Sequence, residues 1–142
     1  MLTWIHYALS AAALWGINYS VGERLIRSAG VPALLLANTV GGGAAMLGYL
    51  VYTGSIIPTL TRVTRDDAIK MVICGLFSAC AIICAQMAIS HKNATLAGLV
   101  EMTYPVFTAL FAYLLFQDMP LTPAGALGGA LILLGLSIIA RG

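Results

Sequence analysis

Long apolar runs, separated by short polar segments, dominate this chain. A helix that crosses the hydrocarbon core of a membrane needs about 20 mostly apolar residues. Runs of about this length cover residues 4–21, 32–52, 68–89, 95–116 and 122–140. Each is about twice as long as a membrane β-strand, and none alternates polar and apolar positions. The pattern therefore predicts an all-α integral membrane protein, a bundle of five transmembrane helices.

Charged and turn-forming residues lie between these runs. Glu23, Arg24 and Arg27 follow the first span, and a polar connector covers residues 53–67. Short polar turns at 91–93 and 117–121 separate the later spans. Because most of these connectors are short, successive helices are expected to be antiparallel neighbours. We expect residues 1–142 to form a single transmembrane domain, whose first helix is retained rather than cleaved as a signal peptide.

Composition excludes most soluble functions. Hydrophobic residues make up 61% of the chain and charged residues 8%, with a net charge of +2. A soluble domain needs more charge to cover its surface, and nucleic acid binding needs a basic patch. Cys74, Cys80 and Cys84 lie in one apolar run without a histidine or aspartate at ligand spacing, so we predict no metal site and no cofactor. No catalytic motif is present, so an enzyme is not expected.

Glu101 is the acidic residue that lies well inside a predicted span. Its helical neighbours at i+3, i+4 and i+7 are Tyr104, Pro105 and Thr108, and Pro105 is expected to kink the helix. Burial disfavours the charged form of a carboxyl, so Glu101 is a candidate site for exchange of a proton with a cationic substrate. Two alternatives stay open. In the first, the carboxyl is structural and forms a hydrogen bond with Tyr104, Thr103 or a neighbouring helix. In the second, Glu101 lies shallow enough in the membrane for its side chain to reach the membrane surface.

Polar and aromatic residues on the first two helices are further candidates for lining a cavity. Trp15 and Asn18 share one face of the first helix, and Asn38 lies on the second. Aromatic rings and amides suit a cavity for amphipathic molecules. The same residues equally suit hydrogen bonds between helices, so both interpretations stay open.

Glycines on the fifth helix predict close helix packing. Lipid provides little hydrophobic drive for helices to associate, so small residues that let backbones approach become important. The glycines in question are Gly125, Gly128, Gly129 and Gly135. They predict either a dimer contact or packing within one chain.

Positive charge is nearly balanced between the two sides of the predicted bundle. One side holds three cations, Arg62, Arg65 and Lys70, and the other holds four, Arg24, Arg27, Lys92 and Arg141. Because this bias sets orientation, a balanced count allows insertion both ways and an antiparallel dimer. The alternatives to dual insertion are that partner proteins fix the orientation of the chain or that its first helix alone does so.

The C-terminal third of the chain carries a recognisable pattern. Pro105, Val106 and Phe107 lie in the fourth predicted span, Asp118 lies in the turn after it, and the segment Gly129 to Gly135 lies in the last span. With the sequence ALWGINY at residues 13–19 of the first span, this pattern resembles an EamA domain of the drug/metabolite transporter superfamily. In that family the matching elements belong to the fourth helix, an acidic turn, the last helix and the first helix. The resemblance covers all five spans and is weakest in the second and third.

The resemblance implies a transporter of small molecules in the cell membrane of a prokaryote. Usual EamA proteins carry two inverted five-helix repeats in one chain, whereas this chain has one. It is similar to single-repeat relatives, which implies an antiparallel homodimer or a pair with a second single-repeat chain. A non-transporting membrane subunit that packs against another protein is the alternative, as is flipping of a lipid-linked head group.

Overall fold

Helices account for nearly all of the described structure, a computed structural model that describes residues 3–117 and 122–139. In chain order they are α1 (Thr3–Ala29), α2 (Val31–Ala37), a π-helical segment (Asn38–Gly42), α3 (Gly43–Tyr52), α4 (Ile56–Arg62), α5 (Arg65–His91), α6 (Ala94–Glu101), α7 (Tyr104–Phe116) and α8 (Pro123–Ile139). No strand occurs within these ranges. The prediction of an all-α fold is confirmed.

Three of the described helical segments are long and apolar enough to cross a membrane. They are Val31–Tyr52, Arg65–His91 and Ala94–Phe116. Helix α8 is also apolar but shorter, at 17 residues. Helix α1 has sufficient length, at 27 residues, but polar residues such as His6 and Asn18 make it less apolar. These segments confirm the membrane class. Asp118 of the predicted acidic turn and Arg141, one of the cations counted by side, lie outside the described residues.

Helix α1 continues about two turns beyond the predicted span. The carboxylate of Glu23 pairs with the Arg27 guanidinium one turn later, and such pairs stabilise a helix. Charged residues end the apolar segment, but they do not end the helix. Gly30 does, with φ +84, a conformation that favours glycine. Its N–H donates to the Ile26 carbonyl at 2.9 Å.

The predicted connector at residues 53–67 contains a helix that the sequence pattern did not predict. Helix α4 has seven residues and carries Pro58 in its first turn, where a missing N–H costs nothing. Helix α5 then starts with a reciprocal cap. Thr64 Oγ1 accepts a bond from the Asp67 N–H at 3.2 Å, and the Thr64 N–H donates to Asp67 Oδ2 at 3.3 Å. This capping arrangement fixes where α5 begins.

The chain divides into two compact units, and the second unit consists of Val21–His91. Helix α2 packs against α5 in this unit. Leu34 and Ile89 are buried there, and Gly22 at the end of α1 leaves room for the Leu34 side chain. A Cβ at Gly22 would lie 2.7 Å from Leu34 Cδ2. A side chain at position 22 would therefore force the Leu34 side chain to shift.

The first unit consists of Met1–Ser20 and Lys92–Gly142. The buried hydrophobic residues described in it are all small: Ala94, Ala97 and Ala109. Large apolar side chains in α7 and α8, such as Phe116 and Ile138, are exposed instead. Small residues inside and large ones outside are typical of a bundle whose outer surface meets lipid or another chain.

Candidate substrate or proton site

Glu101 is the last residue of α6, directly before a break in the fourth predicted span. Asn93 caps the start of α6, because its Oδ1 accepts a bond from the Leu96 N–H at 2.8 Å. Met102 and Thr103 form the break, and Thr103 Oγ1 donates to the Val100 carbonyl at 2.8 Å. Helix α7 restarts the span at Tyr104. The carboxyl is therefore held at a helix discontinuity in the middle of an apolar segment.

Pro105 lies at the second position of α7, directly after this break. Proline has no N–H to donate, and its ring disfavours a helical conformation for the residue before it. At the start of a helix the missing N–H is no loss, because the first-turn N–H groups have no helical acceptor. The proline therefore suits a span that is divided into two helices between Glu101 and Tyr104.

The Glu101 carboxyl is bound from α1, by Tyr19. The Tyr19 hydroxyl donates a hydrogen bond to Glu101 Oε2. Its ring lies over Gly98, where an added Cβ would be 3.5 Å from Tyr19 Cδ2. Gly98 and Glu101 are one turn apart on α6, so a ring lying on the glycine reaches the carboxyl with its hydroxyl. The glycine thus provides the close approach that this contact needs.

Trp15 extends the contact along α1. Its ring meets the Tyr19 ring edge to face, with centroids 5.6 Å apart and an interplanar angle of 72°. This is a favourable geometry for aromatic pairs. Because the two residues are one helical turn apart, Trp15 restricts the positions open to the Tyr19 ring. The predicted candidate Trp15 is therefore connected to Glu101 through Tyr19.

The second carboxyl oxygen of Glu101 has no partner. Oε1 is buried, and no donor in residues 3–117 and 122–139 reaches it. The ion pairs that form around the described carboxylates Glu23 and Asp67, with Arg27 and Lys70, lie away from this position. A buried acceptor without a donor is costly. The arrangement provides one vacant hydrogen-bonding position on an acidic group.

A comparison with known families identifies the chain. The EamA-like transporter family matches it over residues 2–141, nearly the whole length. The chain belongs to the EamA-like transporter family. This is a domain of the drug/metabolite transporter superfamily, so the predicted resemblance is confirmed. No curated protein and no solved structure matches the chain.

The other predicted site residues of this EamA-like chain lie in varied surroundings. Tyr104 is 69% exposed, and Thr108 Oγ1 donates to the Tyr104 carbonyl at 3.0 Å, so neither side chain binds the Glu101 carboxyl. The break at Met102 and Thr103 interrupts the helical spacing that suggested a common stripe. Asn18 is half-buried in the first unit. Asn38 is half-buried in the second unit, where it begins the π-helical segment.

Sequence reasoning missed Tyr19 as a site residue. The open alternatives for a structural partner of Glu101 were Tyr104, Thr103 and a neighbouring helix, and the described carboxyl is bound from the neighbouring helix. The available signal was a tyrosine in the ALWGINY element, four residues after Trp15 and so on the same face of the helix. A further polar residue of the apolar spans, Gln86, is 3% exposed, and its Oε1 has no partner in the described chain.

The α8 glycines of the EamA-like chain do not all have the same surroundings. A Cβ at Gly129 would lie 3.5 Å from Val106 Cγ2 of α7, so this glycine faces its own chain. Gly128 and Gly135 have open space where a Cβ would be. The N–H of Gly125 donates to Thr122 Oγ1 at 3.1 Å, which caps the start of α8. The glycines that face open space are available to another helix.

A groove of about 320 Å³ lies in the second unit, along the start of α5. Its lining residues are Arg65, Ala68, Ile69, Val72 and Ile73. Their spacing of three and four residues places them all on one face of one helix. The groove is therefore an exposed helix face with a cation at one end, and it does not enclose a small molecule.

Proposed function

We propose that this chain is a secondary transporter that moves a small metabolite or drug-like molecule across the cell membrane of a prokaryote by alternating access. Membership of the EamA-like transporter family supports transport of small molecules. The observation that carries the mechanism is the partly bonded Glu101 carboxyl at the break between α6 and α7. Substrate and ion sites of secondary transporters are typically built at discontinuous membrane helices.

In this proposal the chain crosses the membrane five times. Besides the three segments that are long and apolar enough, α1 and α8 also cross. At a rise of 1.5 Å per residue, the 27 residues of α1 extend about 40 Å and the 17 residues of α8 about 26 Å. The hydrocarbon core is about 30 Å thick, so α1 spans it fully and α8 spans it with help from flanking residues.

Two such chains, related by inversion, would enclose the transport pathway. Nearly balanced positive charge on the two sides supports insertion in both orientations. The open faces at Gly128 and Gly135 support close approach of a second helix. Glu101 exchanges a proton for the substrate, and Trp15, Asn18, Asn38, Tyr104 and Thr108 are the proposed lining residues. A second single-repeat chain in place of the homodimer would use the same surfaces.

Transport in reconstituted vesicles tests the proposal. The purified chain is placed in liposomes with a pH gradient, and accumulation of a panel of labelled amines and neutral metabolites is measured. We expect at least one compound to accumulate with wild-type protein. Glu101→Gln should abolish the gradient-driven part while leaving the dimer intact, as checked by crosslinking in the membrane. Gradient-driven accumulation that Glu101→Gln leaves unchanged would remove Glu101 from the mechanism.

The same experiment addresses the alternative of a non-transporting subunit. A chain that only packs against another membrane protein accumulates no member of the panel, and it co-purifies with its partner in stoichiometric amount. That pair of results would contradict the transporter proposal.

A further inference from the structure

The groove at the start of α5 combines an apolar surface with one cation at its end. The residue at that end is Arg65, and every other lining residue, from Ala68 to Ile73, is apolar. The large side chains among them are exposed. The buried residues described in α5, Gln86 and Ile89, lie in its last two turns. The packing that buries the far end of α5 therefore leaves the groove open.

The length of the groove corresponds to the depth of one membrane leaflet. Helix α5 is long and apolar enough to cross a membrane, so its first residue lies near one membrane surface. At a rise of 1.5 Å per residue, the stretch from Arg65 to Ile73 extends about 12 Å along the helix axis. Half of the hydrocarbon core is about 15 Å thick. The groove thus follows the helix over the depth at which the acyl chain of a phospholipid lies.

The charge at the membrane-surface end of the groove is positive. Arg65 lines the groove, whereas Asp66 and Asp67 do not. Asp67 lies 3.7 Å from Lys70, so these two charges offset each other. Arg62, at the end of α4, is three residues before Arg65 and is also exposed. Guanidinium groups present several donors in a planar fork that matches phosphate oxygens. The open end of the groove therefore complements an anionic phosphate group.

Helix α4 indicates that this end of the chain lies at the membrane surface. Ile57 and Leu60 are exposed and three residues apart, so they share one face of the helix. Arg62 is the last residue of the same helix. Exposed apolar residues beside a cation are typical of a segment that lies in the interface between lipid and water. Both arginines are then at the level of the lipid head groups.

We propose that this groove binds one anionic phospholipid, with its phosphate group on Arg65 and Arg62 and one acyl chain along the apolar lining residues. The site is separate from the proposed transport site, and the inference does not depend on transport. An open, one-sided groove suits a lipid chain, because the surrounding membrane covers the side of the chain that the protein does not. The bound lipid holds the start of α5 at the membrane surface.

Lipid binding to the full chain in a neutral detergent tests the proposal. The chain is titrated with phosphatidylglycerol or phosphatidylcholine of the same acyl chains, and bound lipid is counted by native mass spectrometry. We expect one phosphatidylglycerol to bind more tightly than phosphatidylcholine. Arg65→Gln should reduce this preference about fivefold, the effect of one cation near an anionic membrane surface. Arg27→Gln is the matched control, because it removes the same charge from a residue that already pairs with Glu23, and it should leave the preference unchanged.

A second pair of variants tests the apolar part of the groove. Ile69→Ser should weaken binding of both phospholipids, because it removes apolar contact with the acyl chain. The control is Ile83→Ser, since Ile83 lies on the same helix outside the groove and is 46% exposed, close to the 51% of Ile69. This control should bind both lipids as wild-type protein does. The arginine variant thus tests the head group, and the isoleucine variant tests the acyl chain.

Four results would overturn the inference. Equal binding of the two phospholipids would remove the anionic preference, and an equal effect of Arg65→Gln and Arg27→Gln would remove Arg65 from the site. Displacement of phosphatidylglycerol by an equal concentration of inorganic phosphate would show a site for free phosphate and not for lipid. Efficient crosslinking between two chains through a cysteine at position 69, in a background without the native cysteines, would assign the groove to a second copy of the chain.

Discussion

The close approach of Tyr19 to α6 depends on Gly98, and substitutions at this position give a graded prediction. An added Cβ would lie 3.5 and 3.7 Å from two carbons of the Tyr19 ring, which is ordinary contact distance. Gly98→Ala should therefore be tolerated and should gain up to about 1 kcal/mol from helix propensity. Gly98→Leu places three further carbons against the ring, and overpacking of this kind costs about 1–3 kcal/mol.

The control is Gly75→Leu, because Gly75 lies within α5 and has nothing within 4 Å of an added Cβ. Both leucine variants gain the same helix propensity, so the difference between them isolates the clash with Tyr19. A difference of about 1–3 kcal/mol corresponds to about a 5- to 150-fold change in the unfolding equilibrium. Reversible unfolding in mixed micelles, followed by circular dichroism, measures it. Equal stability of Gly98→Leu and Gly75→Leu would refute the contact between Tyr19 and α6.

Three further predictions concern the surrounding fold. Gly22→Ala should lose most of the gain in helix propensity of up to about 1 kcal/mol, because its Cβ would lie 2.7 Å from Leu34 Cδ2 and displace that side chain. Addition of Leu34→Val should raise the melting temperature of this variant in a thermal melt, and no rescue would contradict the clash. Asp67→Ala should lower the free energy of unfolding by about 1 kcal/mol, because it breaks the cap with Thr64. Amide hydrogen exchange at the start of α5 should become faster in this variant and not in the control Asp66→Ala. Equal exchange in the two variants would argue against the cap. Gly128→Leu should lower the crosslinked dimer fraction and leave the melting temperature of the monomer unchanged, because Gly128 faces open space. Gly129→Leu should lower the melting temperature of the monomer, because Gly129 faces Val106. The reverse pattern would contradict the assignment of the two glycines.

Apolar run length predicted the positions of the helices well, because membrane solvation leaves the backbone few alternatives to the helix. The runs at 68–89 and 122–140 fall on α5 and α8 with end shifts of a few residues. Charged residues were a poorer guide to helix ends. Glu23 and Arg27 limit the apolar segment, but the helix continues past them to Ala29, and the two side chains pair with each other one turn apart.

The irregular features were harder to predict. Helix α4 is only seven residues long and lies in a polar connector, so it has no membrane-length signal. The π-helical segment Asn38–Gly42 is followed by Gly43 in an otherwise apolar helix, and nothing in the hydrophobic pattern marks a change of hydrogen-bond register. Such segments depend on local backbone geometry, to which a count of apolar residues is insensitive.

Glu101 was singled out from the cost of a carboxyl in an apolar span, and its role as a site stays a prediction. Its contact with Tyr19 was not predicted, because the two residues are 82 positions apart and helical spacing relates only near neighbours. The expected neighbours Tyr104 and Thr108 follow the break that separates α6 from α7. Long-range pairing of this kind is a property of helix packing, which a single sequence does not specify.

The central claim is the proposal that one carboxyl, Glu101, is the proton or substrate site in the apolar part of this chain. Dicyclohexylcarbodiimide, an apolar reagent that partitions into membranes and reacts with protonated carboxyls, tests it directly. We predict that labelling of the full chain in vesicles, mapped by mass spectrometry, falls on Glu101 and slows when a transported compound is present. Labelling confined to Glu23, Asp66 or Asp67, with Glu101 unmodified, would contradict the claim.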